Sequence, residues 1–261
     1  MAQPKGYVDT QYLRATAALL GQIKQRSYEL MHIQPGQSIL DVGCGPGTDT
    51  IPLASIVGQA GQVTGVDYDP AMVAEAQARA SEADASSWVR HKQADATFLP
   101  FATGTFDACR SERLFQHVGQ PAQVLAEMLR VTKSSGWVVV VDTDWSSFSV
   151  DSIDVDIERR LAGVLAQRVL QNGCAGRQLF RLFRQQQIQD ISIEMVAVHV
   201  TRYAIARQIG CFDIVEHEAL QAGIITQDEL GRWRSNLERT DAEDMFFAST
   251  SVVIVSGRKP Q

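Results

Sequence analysis

The stretch that most limits what this chain can fold into is Ile39-Leu40-Asp41-Val42-Gly43-Cys44-Gly45-Pro46-Gly47-Thr48. Ser38 to Leu40 opens a short run that reads as a buried strand. An acidic residue follows, then glycine at every second position, then a helical pattern after Thr48. Glycine tolerates positive φ and, having no Cβ, lets another group come close to the backbone. A helix that begins just after such a bend points its unpaired N–H groups at whatever rests there. Strand, bend and helix together form a holder for a small polar ligand.

The spacing narrows the ligand. A dinucleotide loop needs G-x-G-x-x-G, its third glycine allowing close helix packing. Here that third position is Thr48 counted from Gly43, or Thr50 counted from Gly45. This argues against an NAD(P)-dependent oxidoreductase.

Composition sets outer limits. The 261 residues are 45% hydrophobic and 21% charged, which suits one large domain carrying an elaborated cap. The net charge of -6 and the lack of a basic stripe argue against a nucleic-acid partner. Cys44, Cys109, Cys174 and Cys211 show no metal-ligand spacing and read as reduced thiols of a cytoplasmic protein. Met1 to Tyr7 carries no apolar signal segment, and no 18-residue apolar run predicts a membrane span.

Along the chain, Val8 to Met31 predicts one or two helices, with Leu13, Ala17, Leu20 and Ile23 at helical spacing. Tyr7 and Tyr12 either pack on a cap or close over the ligand. After the glycine loop, Thr48 to Ile56 predicts a helix and Gln62 to Asp67 a second strand. Asp67 lies about 20 residues past the glycines, the offset of a ribose-binding acid. Asp69-Pro70 already provides the N-cap and first-turn proline of the next helix, Pro70 to Ala83, which leaves Asp67 for the ligand. Met72 in that helix suits either an adenine face or the core. Trp88 to Gln93 predicts a polar, edge-like third strand that leads to Asp95 and Ala96. Asp95 either accepts from an adenine amine or closes its own turn.

Phe106 to Arg110 predicts strand 4, and Gln116 and His117 follow one turn beyond it. His117 suits a ligand contact or a structural role. Pro121 to Val131 predicts a helix, and Trp137 to Val141 a continuous apolar strand of the kind buried on both faces. That strand is expected to end at Asp142, so that Asp144 and Trp145 face the substrate or, alternatively, pack locally. A helical insertion is expected over Phe148 to Phe183, as Ile157 to Leu170 and Gln178 to Phe183, with Arg177, Arg181 and Arg184 on a solvated face. Gln189 to Val200 alternates as strand 6. A second insertion, Ile205 to Asp244, carries helices at Phe212 to Gln221 and Gln227 to Arg239, and Met245 to Ser256 is the last strand.

Several landmarks stand in order: Asp41 with Gly43, Gly45 and Gly47; Asp67; Asp95-Ala96; Leu99-Pro100-Phe101; Phe106-Asp107 leading to His117; and Gly136 before an apolar strand. Together they resemble the class I S-adenosylmethionine (SAM) methyltransferases, in the small-molecule branch similar to the ubiquinone/menaquinone C-methyltransferases. The match spans about residues 34 to 145, and the charges of Arg110, Glu112 and Arg113 depart from the apolar residues many relatives carry there. The resemblance implies an α/β, Rossmann-like, seven-stranded and mostly parallel sheet of order 3-2-1-4-5-7-6 with helical cap insertions. It implies one domain over 1–261: an N-terminal helical cap (1–33), a SAM-binding core (34–145), cap insertions (146–187 and 201–244) and two last strands (188–200 and 245–258).

It also implies SAM as cofactor, S-adenosylhomocysteine as product, and no metal. The cofactor-binding residues expected on this basis are Tyr7, Tyr12, Gly43, Cys44, Gly45, Asp67, Tyr68, Met72, Asp95, Ala96, Ser111 and His117. His117 is the base if one is used, and Asp144 and Trp145 are the substrate contacts. The acceptor is expected to be a small, largely apolar metabolite of the secondary-metabolism type, methylated at O, N or C. A SAM-binding protein with a cyclase-like or regulatory role is the alternative, and a homodimer stays open.

Overall fold

The computed structural model of the protein describes residues 20–261. Helix α1 (Gly21–Glu29) leads into β1 (Ser38–Val42), α2 (Thr50–Val57), β2 (Gln62–Asp67), α3 (Pro70–Glu82), β3 (Val89–Gln93) and β4 (Phe106–Glu112). A single 3-10 turn, Phe115–His117, then precedes α4 (Pro121–Val131) and β5 (Thr132–Val150). The seven strands form one sheet of order β3-β2-β1-β4-β5-β7-β6, in which β6 is Gln189–Val200 and β7 is Ala248–Arg258. Strands β1 to β5 pair in parallel, and β7 runs antiparallel between β5 and β6. This is the order expected above.

Parallel strands are joined by crossovers that lay helices on both faces, so their residues point into apolar cores on either side. Val138 to Val141 follow this rule and are all fully buried. On one face, Leu40, Val66, Val138 and Val140 pack against α4; on the other, Ile39, Val63, Val139 and Val141 pack with α1 and α2. Helix α4 is apolar on one side only, burying Val124, Leu125 and Met128.

A third core lies under the cap. It gathers Trp145, Phe148, Leu161, Phe212 and Trp233 from the end of β5, α5 (Val155–Val164), α8 (Phe212–Gln221) and α9 (Gln227–Ala242). Helix α5 runs on as a π turn over Leu165–Val169. Helix α6 (Ala175–Gln185) behaves differently from an insertion helix. It packs on β5 and β7 and buries Leu179, Leu182 and Phe183 in the sheet core. A short α7 (Tyr203–Ile209), not anticipated from the sequence, follows β6.

Strand β5 also departs from expectation. It does not stop at Val141 but continues to Val150, with an irregularity between Asp144 and Ser149. The reason lies in its neighbour. β7 returns alongside it and pairs Asp142 with Val253, Asp144 with Ser251 and Val150 with Ala248, so the backbone past Val141 is satisfied by the ladder. Asp144 and Trp145 therefore sit within a strand and not at an open strand tip.

Close approach of α6 to β5 depends on Gly176. A Cβ there would lie 2.9 Å from both Asp142 O and Asp144 N. Neither atom can yield without breaking the ladder. We expect Gly176→Ala to destabilise the protein by about 1–3 kcal/mol, a fall in Tm of roughly 2–4 °C per kcal/mol by calorimetry. An unchanged Tm would show that the helix has room to spare.

Candidate functional site

A cleft of about 860 Å³ opens at the carboxyl ends of β1 to β4. The chain order reverses between β1 and β4, and open α/β sheets bind ligands outside the strand ends at such a point. The bend after β1 forms its floor. Gly43 N and Cys44 N both donate to Val66 O, at 2.8 and 2.9 Å, which ties the bend to β2. Gly43 and Gly47 have φ of +75° and +74°, a region costly for residues with a side chain. Neighbours add a second requirement: a Cβ on Gly43 would stand 3.1 Å from Leu114, and one on Gly47 3.0 Å from Ala76. The alternating glycines let β4's loop and α3 close in on the bend.

Asp67 ends β2 in the cleft wall. Its Oδ2 accepts from Gly45 N at 2.8 Å and its Oδ1 from Asp69 N at 2.9 Å. It is thus already engaged with the loop, contrary to the reading that left it for a ligand alone. Burial raises its pKa, and these amides oppose the shift. Asp69 caps α3, accepting from Ala71 N at 2.8 Å, as its place before Pro70 predicted. Asp95 follows β3 and spends Oδ1 on Thr97, whose N and Oγ1 lie at 2.8 and 2.7 Å. The turn role and a place in the wall are both present. Ala96, Met72, Tyr68 and Cys44 also line the cleft; burial pushes the Cys44 thiol well up, against its reactivity as a thiolate.

Beneath the floor lies a set of buried charges. Arg110 on β4 is fully buried and stacks 5.1 Å from the Tyr28 ring. Its guanidinium contacts Glu112, and lies 3.4 Å from Asp41 and from Asp49; Nε donates to Ser27 Oγ at 2.9 Å. Lys24 reaches Asp49 at 2.7 Å and Glu112 at 2.9 Å, while Tyr28 donates to Asp49 Oδ1 at 2.5 Å. Burial acts on both aspartates. It drives Asp41 up to about 7, with Arg110 opposing. It drives Asp49 up as well, but Arg110 and Lys24 outweigh it and leave that carboxyl well below the usual range. Asp49, Glu112 and Arg113 reach the cleft wall, and none was expected as a site residue. A signal existed: Leu20, Lys24 and Tyr28 share one helix face at i, i+4 spacing, which places a lysine among core positions.

The remaining expected residues divide. His117 and Gln116 line the cleft. Ser111 does not: it is fully buried, and its hydroxyl donates to Val42 O at 2.8 Å, binding β4 to β1. Asp144 and Trp145 stand outside the wall as well. Asp144 pairs with Arg177 at 2.6 Å, so Arg177 is not simply solvated, and Trp145 Nε1 donates to Gln116 Oε1 at 2.6 Å. Tyr7 and Tyr12 lie outside the described residues.

Asp142 supports the 3-10 turn from below. It is fully buried and accepts from Thr143 N at 2.9 Å and Gln116 N at 3.3 Å. Burial pushes its pKa up to about 7, against the pull of those amides. An acid whose pKa is higher folded than unfolded binds its proton more tightly in the native state, so its contribution to stability falls as pH rises from about 4 to about 7. His91 acts in the opposite sense, since burial lowers it to about 4. Comparing wild type with Asp142→Asn separates the two. Urea unfolding should show wild type losing on the order of 1 kcal/mol or more relative to the variant between about pH 5 and about pH 7.5. A pH-independent difference would contradict the assignment.

Comparison with known proteins agrees with this geometry. Residues 39–136, the stretch from β1 through the cleft to the foot of β5, match the family described as "Methyltransferase domain". The chain is 31% identical over 241 residues to an uncharacterised 37.1 kDa protein of transposon TN4556 from Streptomyces fradiae, covering 92% of this chain and 68% of that one. It is 30% identical over 119 residues to a demethylmenaquinone methyltransferase of Desulfitobacterium hafniense, a match over 46% of this chain and 47% of that protein. Among solved structures, phosphoethanolamine N-methyltransferase 2 of Haemonchus contortus, in complex with S-adenosyl-L-methionine, superposes with a TM-score of 0.61 at 20% identity. That match covers 98% of this chain and 58% of that one. With its sheet order, its glycine bend and the acids at the tips of β2 and β3, the chain belongs to the class I SAM-dependent methyltransferases.

Proposed function

We propose that this protein moves the methyl group of SAM to a small, largely apolar metabolite by in-line transfer. The methyl carbon bonds to an O, N or C atom of the acceptor, the S–CH3 bond breaks with its electron pair staying on sulfur, and S-adenosylhomocysteine leaves. The observation that carries the reading is the charge of the cleft. Among the described residues of its wall, Asp49, Asp67, Asp69, Asp95 and Glu112 are acidic, and Arg113 is the one lysine or arginine. SAM brings a sulfonium and an α-ammonium, which Asp67, Asp69 and Asp95, the acids of that wall outside the Lys24–Arg110 cluster, attract; the pyrophosphate of a dinucleotide would be repelled.

Roles follow from position. Asp67 is engaged by two amides, yet a carboxylate has about four lone-pair sites, so it still accepts from both ribose hydroxyls. Asp95 Oδ2, which its turn does not use, takes the exocyclic amine of adenine, and the Ala96 amide serves a ring nitrogen. Tyr68 and Met72 flank the base. Gly43, Cys44 and Gly45 pass their backbone beside the carboxypropyl chain and the sulfonium. The place held open for Ser111 falls to Glu112 and Arg113, one and two residues on. Beyond them Leu114 and Val118, with Gln116 and His117 between them, form a half-apolar wall for the acceptor. A cleft near the upper end of the usual pocket range leaves space for a second small molecule beside the cofactor. Alignment of donor and acceptor in that space is the main source of rate.

Asp67→Ala tests the cofactor site. SAM affinity, read by calorimetry, should fall at least about tenfold, or about 1.4 kcal/mol, since two charge-assisted hydrogen bonds are lost. A folded variant that binds SAM as the wild type does would remove Asp67 from the site. Failure of the wild type to release S-adenosylhomocysteine with any of a panel of phenols, enols, amines and thiols would remove methyl transfer itself.

A further inference from the structure

We infer that His117 is held as a neutral imidazole with its proton on Nδ1, and that it is a positioning residue whose Nε2 takes no proton from the acceptor. The inference rests on the methyl-transfer reading for its meaning but on a chain of three side chains for its substance. Gln116 Nε2 and His117 Nε2 lie 2.9 Å apart, and Trp145 Nε1 lies 2.6 Å from Gln116 Oε1. An indole N–H can only donate. That fixes which end of the Gln116 amide faces Trp145: its oxygen must. The amide nitrogen, which can only donate, is therefore the end that faces His117. Nε2 of the imidazole must accept, and the single proton of the neutral ring resides on Nδ1. Protonating Nε2 would set two donors against each other at hydrogen-bond distance.

The relay is anchored where it begins. Trp145 is buried in the cap core with Phe148, and the Gln116 backbone is held from both sides: its N–H by Asp142 at 3.3 Å, its C=O by Asn172 N at 2.9 Å. Gln116 itself is buried, so no water exchange relaxes the amide's orientation. The cap core thus sets the tautomer of a cleft residue through two hydrogen bonds. Its packing becomes a determinant of the site although, among the described residues, none of that core lines the cleft.

The consequence concerns the acceptor. With Nε2 committed, His117 offers no basic nitrogen, and the carboxylates of the wall are too weak to deprotonate an aliphatic alcohol. The acceptor class this favours has a nucleophilic atom with an available electron pair near neutral pH: an acidic phenol or enol, an unprotonated amine, or a thiolate. A phenol, enol or thiol gives its proton to solvent before transfer, whereas an amine attacks with its lone pair and loses a proton to solvent only after the N–CH3 bond has formed.

The test is the tautomer itself, read by long-range proton–nitrogen NMR of protein labelled at histidine, with His117 assigned by its absence in His117→Asn. Wild type at pH 7.5 should show a pyrrole-type Nδ1 and a pyridine-type Nε2. Gln116→Glu replaces the donor facing Nε2 with an acceptor and should move the proton to Nε2. Trp145→Phe frees the amide to turn and should yield a mixture. A wild-type proton on Nε2, or a Gln116→Glu spectrum unchanged from wild type, overturns the inference. SAM binding by calorimetry on the same samples keeps the two readings apart: a protein with the expected tautomer and no SAM affinity would sink the methyl-transfer reading while leaving the relay in place.

Discussion

Arg110 is the constraint around which the site is built. A guanidinium cannot lose its proton at any ordinary pH, and taking it wholly out of water is costly unless carboxylates surround it. Here they come from β1 as Asp41, from the position just before α2 as Asp49, and from β4 as Glu112, with α1 adding Lys24, Ser27 and Tyr28. The bend, two strands and the helix before them are thereby held in one arrangement. The glycine loop can be almost free of side chains because its rigidity comes from below.

That arrangement places acids on both sides of the floor. Those beneath are matched by Lys24 and Arg110, while among the described residues Asp67 and Asp95 above accept from backbone amides and a threonine. The upper pair faces the cleft. A cationic cofactor would find there what a phosphate-bearing one would not. The geometry of the strand tips gives the length of a nucleoside; the sign of the field selects among the ligands that contain one.

Much of this could be read along the chain. Asp69 before Pro70 announced a helix cap, and the structure has it. The offset of Asp67 from the glycines placed it at a neighbouring strand tip, and the unbroken valine run of β5 announced burial on both faces. These succeed because caps, loop offsets and apolar runs are local patterns. What the local pattern leaves open has the opposite property. Ser111 and Asp144 were read by their distance from a strand end, but side-chain direction and a returning partner strand decided where they point. Trp145 carries two readings in the sequence, a substrate contact or local packing; β7 takes β5 past Val141, and Trp145 packs in the cap core.

The sequence by itself determined the strand–bend–helix unit, the capping of α3 and the apolar runs of the sheet, since each follows from the preferences of adjacent residues. Through a resemblance it also pointed to the sheet order and the family. Tertiary structure alone decided that Arg110 is buried among three acids, that Asp67 latches Gly45, and that an indole in the cap sets the hydrogen bonding of His117. Each of these needs at least one contact between groups more than twenty residues apart in the chain. No local preference encodes which of several polar side chains meet once water is excluded; only the packing of the elements settles it, because a buried donor or acceptor must find its partner within hydrogen-bond reach.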